Sequence, residues 1–204
     1  MDKEKGNFNI IFEKPLFHGT DAFIVSMTEE ERQDMKQKCF LAIEMLFNLY
    51  EKNEYQKCFD KPTENKEIND LNSIYLQVDA LMSKSSSYEY DNTYLTQEID
   101  KAVYYAKIAY HFGELGYFAW KMIKGLELTG YKLPENITEE QQVALDSVIG
   151  FADHDSEPVI FTFKNLPLEN LMDEMGCKKI INSNVRYIGT LDFSKANSVI
   201  RVPQ

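Results

Sequence analysis

One histidine in this chain stands where a binding site is easiest to place. The chain has only three histidines, and His18 lies in Leu-Phe-His-Gly-Thr, residues 16–20, where a short strand is expected to end. An imidazole both donates and accepts hydrogen bonds near neutral pH. The segment is therefore either a turn that contains a histidine or the first contact point of a nucleotide site.

The other two histidines are weaker candidates for chemistry. His154 lies between Asp153 and Asp155, but no second histidine is near it in sequence. We therefore interpret this cluster as a solvated acidic loop and expect no metal site. His111 falls late in a helical segment, where a lone histidine is more often packed or at the surface. The chain contains no GxGxxG, GxxxxGK[ST], HExxH or GxSxG motif.

Composition predicts an ordinary globular protein. The 204 residues suit a single domain, 1–204, with 44% hydrophobic and 27% charged residues. The net charge of -11 argues against a nucleic-acid-binding surface as the main purpose, because phosphate neutralisation needs clustered Lys and Arg. Aromatic residues make up 13% of the chain, which suits stacking surfaces or a bulky core.

Cysteine usage and hydropathy predict a cytoplasmic location. Cys39, Cys58 and Cys177 are far apart and form no CxxC pair, so reduced thiols fit better than a zinc site or disulfides. No run approaches the roughly 18 apolar residues that span a bilayer. The N-terminal residues 1–9 lack the apolar stretch of a secretory signal. We therefore expect an intracellular protein with no membrane partner.

The first elements that must position His18 follow from local patterns. Residues 8–17 alternate loosely and predict one or two short strands. Thr28 and Glu31 form a capping box, with Met27 as the staple residue, and predict a helix to about Tyr50. The apolar stripe of this helix comprises Met35, Cys39, Ile43, Leu46, Leu49 and Tyr50.

The middle of the chain is less regular. Residues 52–70 predict a polar loop, 71–82 a strand or short helix that periodicity does not settle, and 83–92 a serine-rich loop. A short strand follows at 93–96, Thr-Tyr-Leu-Thr. A second long helix is predicted from 97 to about 123, with possible interruptions at Gly113 and Gly116.

The last third predicts the fold class. Thr138 and Gln141 form another capping box, which opens a helix to about Val148. Strands are predicted at 158–166, 185–193 and 198–202, with a short helix at 168–176 that ends at Gly176. The order of elements predicts an α+β fold in which strands from both ends of the chain meet in one sheet.

Three segments together resemble a known superfamily. They are Leu-Phe-His-Gly-Thr at 16–20, Thr-Tyr-Leu-Thr at 93–96 with the tyrosine-bearing helix after it, and the strand-rich last quarter. This combination resembles the ADP-ribosyltransferase superfamily, in the branch with a His-Tyr-Glu signature, as in a small bacterial or phage member. The resemblance covers about half of the chain and implies split antiparallel β-sheets with helical insertions.

The resemblance implies an NAD+ site. In that branch the His-Gly-Thr strand and the tyrosine strand face the dinucleotide, so it maps binding onto His18, Gly19, Thr20, Tyr94, Thr96 and Tyr105. Nicotinamide is a flat, cationic ring in NAD+, which the two tyrosines would sandwich. Gly19 would let the backbone approach the nicotinamide amide, and His18 and Thr20 would bond the adenosine-side ribose.

The resemblance also implies a reaction, with one departure from the family pattern. Active members transfer ADP-ribose by displacement at the ribose carbon and place a Glu near a late strand. The corresponding stretch here, 178–191, has no acidic residue, and Asn182, Ser183 or Asn184 stands in its place. His18, Tyr94 and Asn184 are accordingly the residues that the resemblance maps to catalysis.

Three explanations for the missing acid stay open. Another carboxylate, such as Glu114, Glu127 or Glu174, takes its place; or a polar residue suffices; or catalysis is lost and binding kept. The leading hypothesis is transfer of ADP-ribose from NAD+ to an unknown protein or nucleic-acid acceptor. The alternatives are an inactive member of the same fold that binds a protein partner, and an unrelated helical interaction module in which the helices 28–50 and 97–123 pack together. Separately, Tyr94 and Tyr105 could be core aromatic residues and His18 a turn histidine with no part in a site.

Overall fold

The computed structural model describes residues 11–52, 66–82, 93–109, 112–173, 180, 183–189 and 191–203, which form an α+β fold. The strands are β1 (Ile11–Phe12), β2 (Leu16–Asp21), β3 (Thr93–Thr96), β4 (Pro158–Phe163), β5 (Leu166–Pro167), β6 (Leu171–Asp173), β7 (Asn184–Tyr187) and β8 (Ser198–Arg201). The helices are α1 (Ala22–Ser26), α2 (Glu29–Lys52), α3 (Lys66–Met82), α4 (Ile99–Ile108), α5 (Gly113–Thr129) and α6 (Glu139–Ala152).

Six strands form one antiparallel sheet in the order β6-β7-β3-β2-β4-β8, and β1 pairs with β5 separately. Strand β2 pairs with β4 along its whole length, and β4 pairs in turn with β8. The prediction that strands from both ends of the chain share one sheet is therefore confirmed. The alternative of a purely helical interaction module is wrong, because the chain forms this sheet.

Strand β2 is longer than its sequence predicted. His18, Gly19 and Thr20 were expected where the strand ends, but they lie within it and pair with Phe161, Ile160 and Val159 of β4 in that order. The strand ends one residue after Thr20, because the Asp21 side chain caps α1 by accepting a hydrogen bond from Phe23 N.

The predicted start of α2 is confirmed. The backbone N–H of Thr28 donates to Glu31 Oε2 at 2.7 Å, and Glu31 N donates to Thr28 Oγ1 at 3.2 Å, which closes the capping box. The predicted stripe faces the interior, where it packs against α3, α5 and α6. Cys39 lies in this core, and burial raises the pKa of its thiol to about 12. A thiol with so high a pKa is not ionised at neutral pH, so Cys39 is an inert packing residue.

Helix α3 corrects the middle of the chain. Residues 66–70 were predicted as loop, but they begin α3, and the undecided segment 71–82 is helical. Leu71, Ile74, Tyr75 and Val78 are buried at three- and four-residue spacing, so tertiary contacts with the other helices decide the ambiguity. The rest of the predicted loop, 53–65, and the serine-rich segment 83–92 lie outside the described residues.

The second long helix is two helices. Its predicted span, 97–123, divides into α4, which ends at Ile108, and α5, which begins at Gly113 after its N-cap residue Phe112; Phe112 and Gly113 both have a φ of 67°. A left-handed backbone ends a right-handed helix, so Gly113 is an interruption as predicted. Gly116 is not one, because it is buried within α5.

The C-terminal third is partly as predicted. Helix α6 has the Thr138–Gln141 capping box but runs to Ala152, and the last strand is β8. The helix predicted at 168–176 is wrong over 168–173, where a single 3-10 turn at Leu168–Asn170 leads into β6, which pairs with β7. Residues 174–176 lie outside the described part of the chain. The predicted strand 185–193 ends early, at Tyr187, and a 3-10 turn follows at Phe193–Lys195. Pairing in the sheet outweighs the local helical pattern.

Candidate functional site

A cavity of about 560 Å³ lies against the sheet where β2 and β3 meet. Its walls come from β2 and β3, from the end of α4 and the start of α5, and from one face of α2. The residues that the resemblance maps to binding and to catalysis all line this cavity. These residues are His18, Gly19, Thr20, Tyr94, Thr96, Tyr105 and Asn184.

A hydrogen bond joins the two central strands at the cavity. Strands β2 and β3 are in register at Phe17 and Thr96, and His18 Nδ1 lies 2.8 Å from the carbonyl oxygen of Tyr94. A carbonyl only accepts, so Nδ1 carries the proton and donates. In the neutral imidazole, Nε2 is then the nitrogen that can accept a hydrogen bond.

The protonation of His18 follows from its surroundings. Burial lowers the pKa of the imidazole below its usual 6.5, and the hydrogen bond to the Tyr94 carbonyl opposes this shift less strongly. The ring also packs against Phe193, with centroids 5.2 Å apart. His18 is therefore neutral at pH 7 and held in one orientation by a ring and a carbonyl.

Gly19 has a packing role that the sequence analysis missed. A Cβ built there would lie 1.8 Å from the Ala102 carbonyl oxygen and 2.8 Å from Ala106 N, both backbone atoms of α4. Helix α4 thus lies directly on β2, where Ala102 and Ala106 pack on Ile160 of β4. The need for glycine comes from this close approach of helix and strand. Its expected backbone contact to a ligand stays a prediction.

The two tyrosines come from different walls. Tyr94 is half-buried in β3, opposite Arg186 of β7. Tyr105 lies on α4, is 38% exposed, and meets Tyr104 edge to face at 5.6 Å. Both residues line the cavity.

The two threonines and Asn184 lie on the sheet. Thr20 and Thr96 are buried, and Thr96 Oγ1 accepts a hydrogen bond from Glu98 N at 3.1 Å, which shapes the start of α4. Asn184 is the first residue of β7 and pairs with Thr96. Asn184, one of the three residues proposed in place of a glutamate, therefore lies next to the tyrosine strand. Ser183 accepts a hydrogen bond from Lys101 Nζ at 3.0 Å, and Asn182 lies outside the described residues.

The structure distinguishes among the three proposed carboxylates. Glu114, in the first turn of α5, lines the cavity. Glu127 instead forms an ion pair with Lys124 at 2.9 Å on the same helix, and it does not line the cavity. Glu174 lies outside the described residues. Of the two carboxylates that the structure describes, Glu114 is the one that lines the cavity.

Sequence reasoning missed two sets of lining residues. Phe193 was assigned to a strand, so its ring contact with His18 was not expected. Glu29, Arg32, Gln33 and Lys36 of α2 line the cavity at three- and four-residue spacing. That spacing is visible in the sequence, but it reads as a solvated helix face until the sheet is placed beside it.

His154 is structural. Its Nδ1 contacts the Phe151 carbonyl, and its Nε2 lies 3.4 Å from Oδ1 of the fully buried Asp21. Asp21 also accepts from Ser156 Oγ and Glu157 N, each at 2.9 Å. This carboxylate therefore joins the end of β2 to the start of β4. Within the described part of the chain, no group of three His, Cys, Asp or Glu is placed to hold a metal ion.

Comparisons with known proteins add no relative. The chain matches no protein-family model, no curated protein and no solved structure. Among the described helices, none has both the length and the apolar character needed to cross a bilayer. The cavity geometry therefore carries the functional argument.

Proposed function

We propose that this chain has an ADP-ribosyltransferase-like fold, binds NAD+ in the cavity and transfers ADP-ribose to a macromolecular acceptor. The observation that carries the proposal is the hydrogen bond from His18 to the Tyr94 carbonyl. It joins the His-Gly-Thr strand to the tyrosine strand at a cavity that Tyr105 and Asn184 also line. Four residues distant in sequence thus line one cavity, and this supports the proposal.

The shape and chemistry of the cavity suit a dinucleotide. A volume of about 560 Å³ is within the range of small-molecule sites. Tyr94 and Tyr105 would hold the nicotinamide ring between them. His18 donates through Nδ1 to the Tyr94 carbonyl, so its Nε2 would accept a hydrogen bond from a ribose hydroxyl.

The chain's own residues would supply orientation and charge. In NAD+ the nicotinamide ring carries the positive charge. As its bond to the ribose carbon breaks, nicotinamide would leave neutral and the charge would move to the ribose, where a carboxylate would stabilise it until the acceptor attacks. Strand β7, with the sequence Asn-Val-Arg-Tyr, provides no carboxylate. Glu114 would stabilise this charge from α5 instead, and the amide of Asn184 would orient a hydroxyl.

The absence of an acid in β7 favours one second candidate function. An inactive protein of the same fold would keep the cavity and use the protein's acidic character to bind a partner. This candidate predicts binding of NAD+ without release of nicotinamide, even when lysate supplies acceptors.

One pair of measurements tests the proposal. Calorimetry of the purified protein should detect binding of both NAD+ and nicotinamide; absence of both refutes the NAD+ site. Incubation with labelled NAD+ and cell lysate should then show label transfer and nicotinamide release. Binding without either product would favour the inactive candidate over the enzyme.

A further inference from the structure

The charged wall of the cavity is one face of α2. Glu29, Arg32, Gln33 and Lys36 follow the spacing i, i+3, i+4 and i+7, so their side chains share a side of the helix. The capping box at Thr28 and Glu31 determines where this helix begins. The cavity thus has a rigid helical wall that bears two cations.

Contacts within this wall orient its donors. Glu29 accepts hydrogen bonds from Gln33 Nε2 and Arg32 Nη2, each at 2.9 Å, and these bonds hold the pKa of Glu29 below its usual value. Arg32 is paired through Nη2, and a guanidinium has five N–H donors. The ion pair therefore directs the guanidinium while leaving it further donors. Lys36, one turn along the helix, adds a second positive charge.

The opposite walls have different chemistry. The His18 ring packs against Phe193, and Tyr94 lines the same cavity. Helix α2 contributes two cations, an amide and the carboxylate of Glu29, whose two oxygens accept from Arg32 and Gln33. A ligand that fits both has a flat aromatic or ribosyl part and an anionic part. Nucleotides combine these parts in one molecule.

We propose that Arg32, Gln33 and Lys36 form a phosphate-binding face that takes the diphosphate of a nucleoside diphosphate group. Arg32 donates to the phosphate oxygens and Lys36 neutralises charge. This inference deepens the proposed function and rests on it for the nucleotide class. Four charged side chains line the described cavity, Glu29, Arg32, Lys36 and Glu114, and their formal charges cancel. Pyrophosphate alone should therefore bind more weakly than a nucleoside diphosphate, which the ring-bearing walls also hold.

Calorimetric titration with ADP and with adenosine tests the phosphate-binding face. The wild-type protein should bind ADP more tightly than adenosine, with an ADP affinity that falls as salt is added. Arg32→Gln and Lys36→Gln should each weaken ADP binding about tenfold and leave adenosine binding unchanged. The matched control is Lys38→Gln: Lys38 lies on the same helix, pairs with Asp34 at 2.6 Å and does not line the cavity.

Two results would overturn the inference. One is equal wild-type affinity for ADP and adenosine. The other is an equal effect of all three variants, which would indicate loss of helix charge alone; thermal unfolding of each variant excludes misfolding as the cause. Nicotinamide separates this inference from the proposed function. If the wild-type protein does not bind nicotinamide but binds ADP with an affinity that falls in Arg32→Gln, only the NAD+ proposal is refuted. If it binds nicotinamide but Arg32→Gln and Lys36→Gln leave the ADP affinity unchanged, only the phosphate-binding face is refuted.

Discussion

His18 in β2 donates through Nδ1 to the carbonyl oxygen of Tyr94 in β3, 2.8 Å away. A side chain of one strand thus bonds the backbone of its neighbour beyond the Phe17–Thr96 register position. Because the same imidazole lines the cavity, the bond that orients the site also helps to hold the two strands together. We therefore expect stability and ligand binding to change independently only in variants that keep either the Nδ1 donor or the Nε2 acceptor, but not both.

His18→Asn is such a variant. An Asn amide can reproduce the donor at Nδ1, but it has nothing at the position of Nε2. We expect His18→Asn to retain most of the stability and lose NAD+ affinity, whereas His18→Ala also loses about 1 kcal/mol of unfolding free energy. Urea unfolding and calorimetry measure the two effects. Equal affinity of the Asn variant and wild type would remove His18 from the binding site.

The same histidine predicts a pH dependence. Since its folded-state pKa lies below the usual 6.5, the unfolded chain takes up a proton first as the pH falls below that value. The stability contributed by neutral His18 is therefore complete above pH 6.5 and is lost at lower pH. Urea midpoints measured from pH 7.5 to pH 5 should fall less in His18→Asn than in wild type. Parallel curves for the two proteins would contradict the burial of a neutral imidazole.

Gly19→Ala should be severely destabilising. The added Cβ would meet the Ala102 carbonyl oxygen at 1.8 Å, and backbone of α4 cannot move aside as a flexible side chain can. We expect a loss of about 3 kcal/mol or more in urea unfolding. Gly150→Ala is the matched control, because Gly150 lies in α6 and a Cβ added there would have nothing within 4 Å. It should gain about 0.5–1 kcal/mol from helix propensity. Similar effects of the two substitutions would disprove the close approach of α4.

Tyr94→Ala should abolish NAD+ and nicotinamide binding, because it removes one wall of the proposed sandwich. Tyr94→Phe keeps the ring and should retain binding within about threefold, since stacking needs the ring and not the hydroxyl. Calorimetry of both variants, with unfolding midpoints as a check on folding, measures the effect. If both variants bind nicotinamide as wild type does, Tyr94 is a structural aromatic residue.

Glu114→Gln tests whether Glu114 supplies the carboxylate that β7 does not provide for the proposed reaction. It should lower the rate of nicotinamide release on the order of 100-fold while NAD+ affinity stays within a few-fold, because the charge matters most in the transition state. Glu127→Gln, on the same helix but paired with Lys124 outside the cavity, should leave the rate unchanged. Equal rates in the two variants would exclude Glu114 as the stabilising acid.

Local signals were the most dependable guide to the elements. The capping boxes at Thr28 and Thr138 place the starts of α2 and α6 correctly, since a cap depends on residues within one turn. The 71–82 segment and the supposed helix at 168–176 could not be resolved in this way. Leu71 and Val78 are buried by distant helices, and Leu171 is paired with Tyr187 across the sheet.

The sequence by itself determined the residue types of the candidate site: it shows His18, Tyr94, Tyr105 and the absence of an acidic residue from 178–191. Only the tertiary structure decided that these residues share a cavity, that Gly19 is needed for α4, and that Arg32 and Lys36 face the same space. The physical reason is that caps and periodicity act over a few residues, whereas strand order and helix packing bring together residues distant in sequence. Those long-range contacts determine what surrounds each side chain.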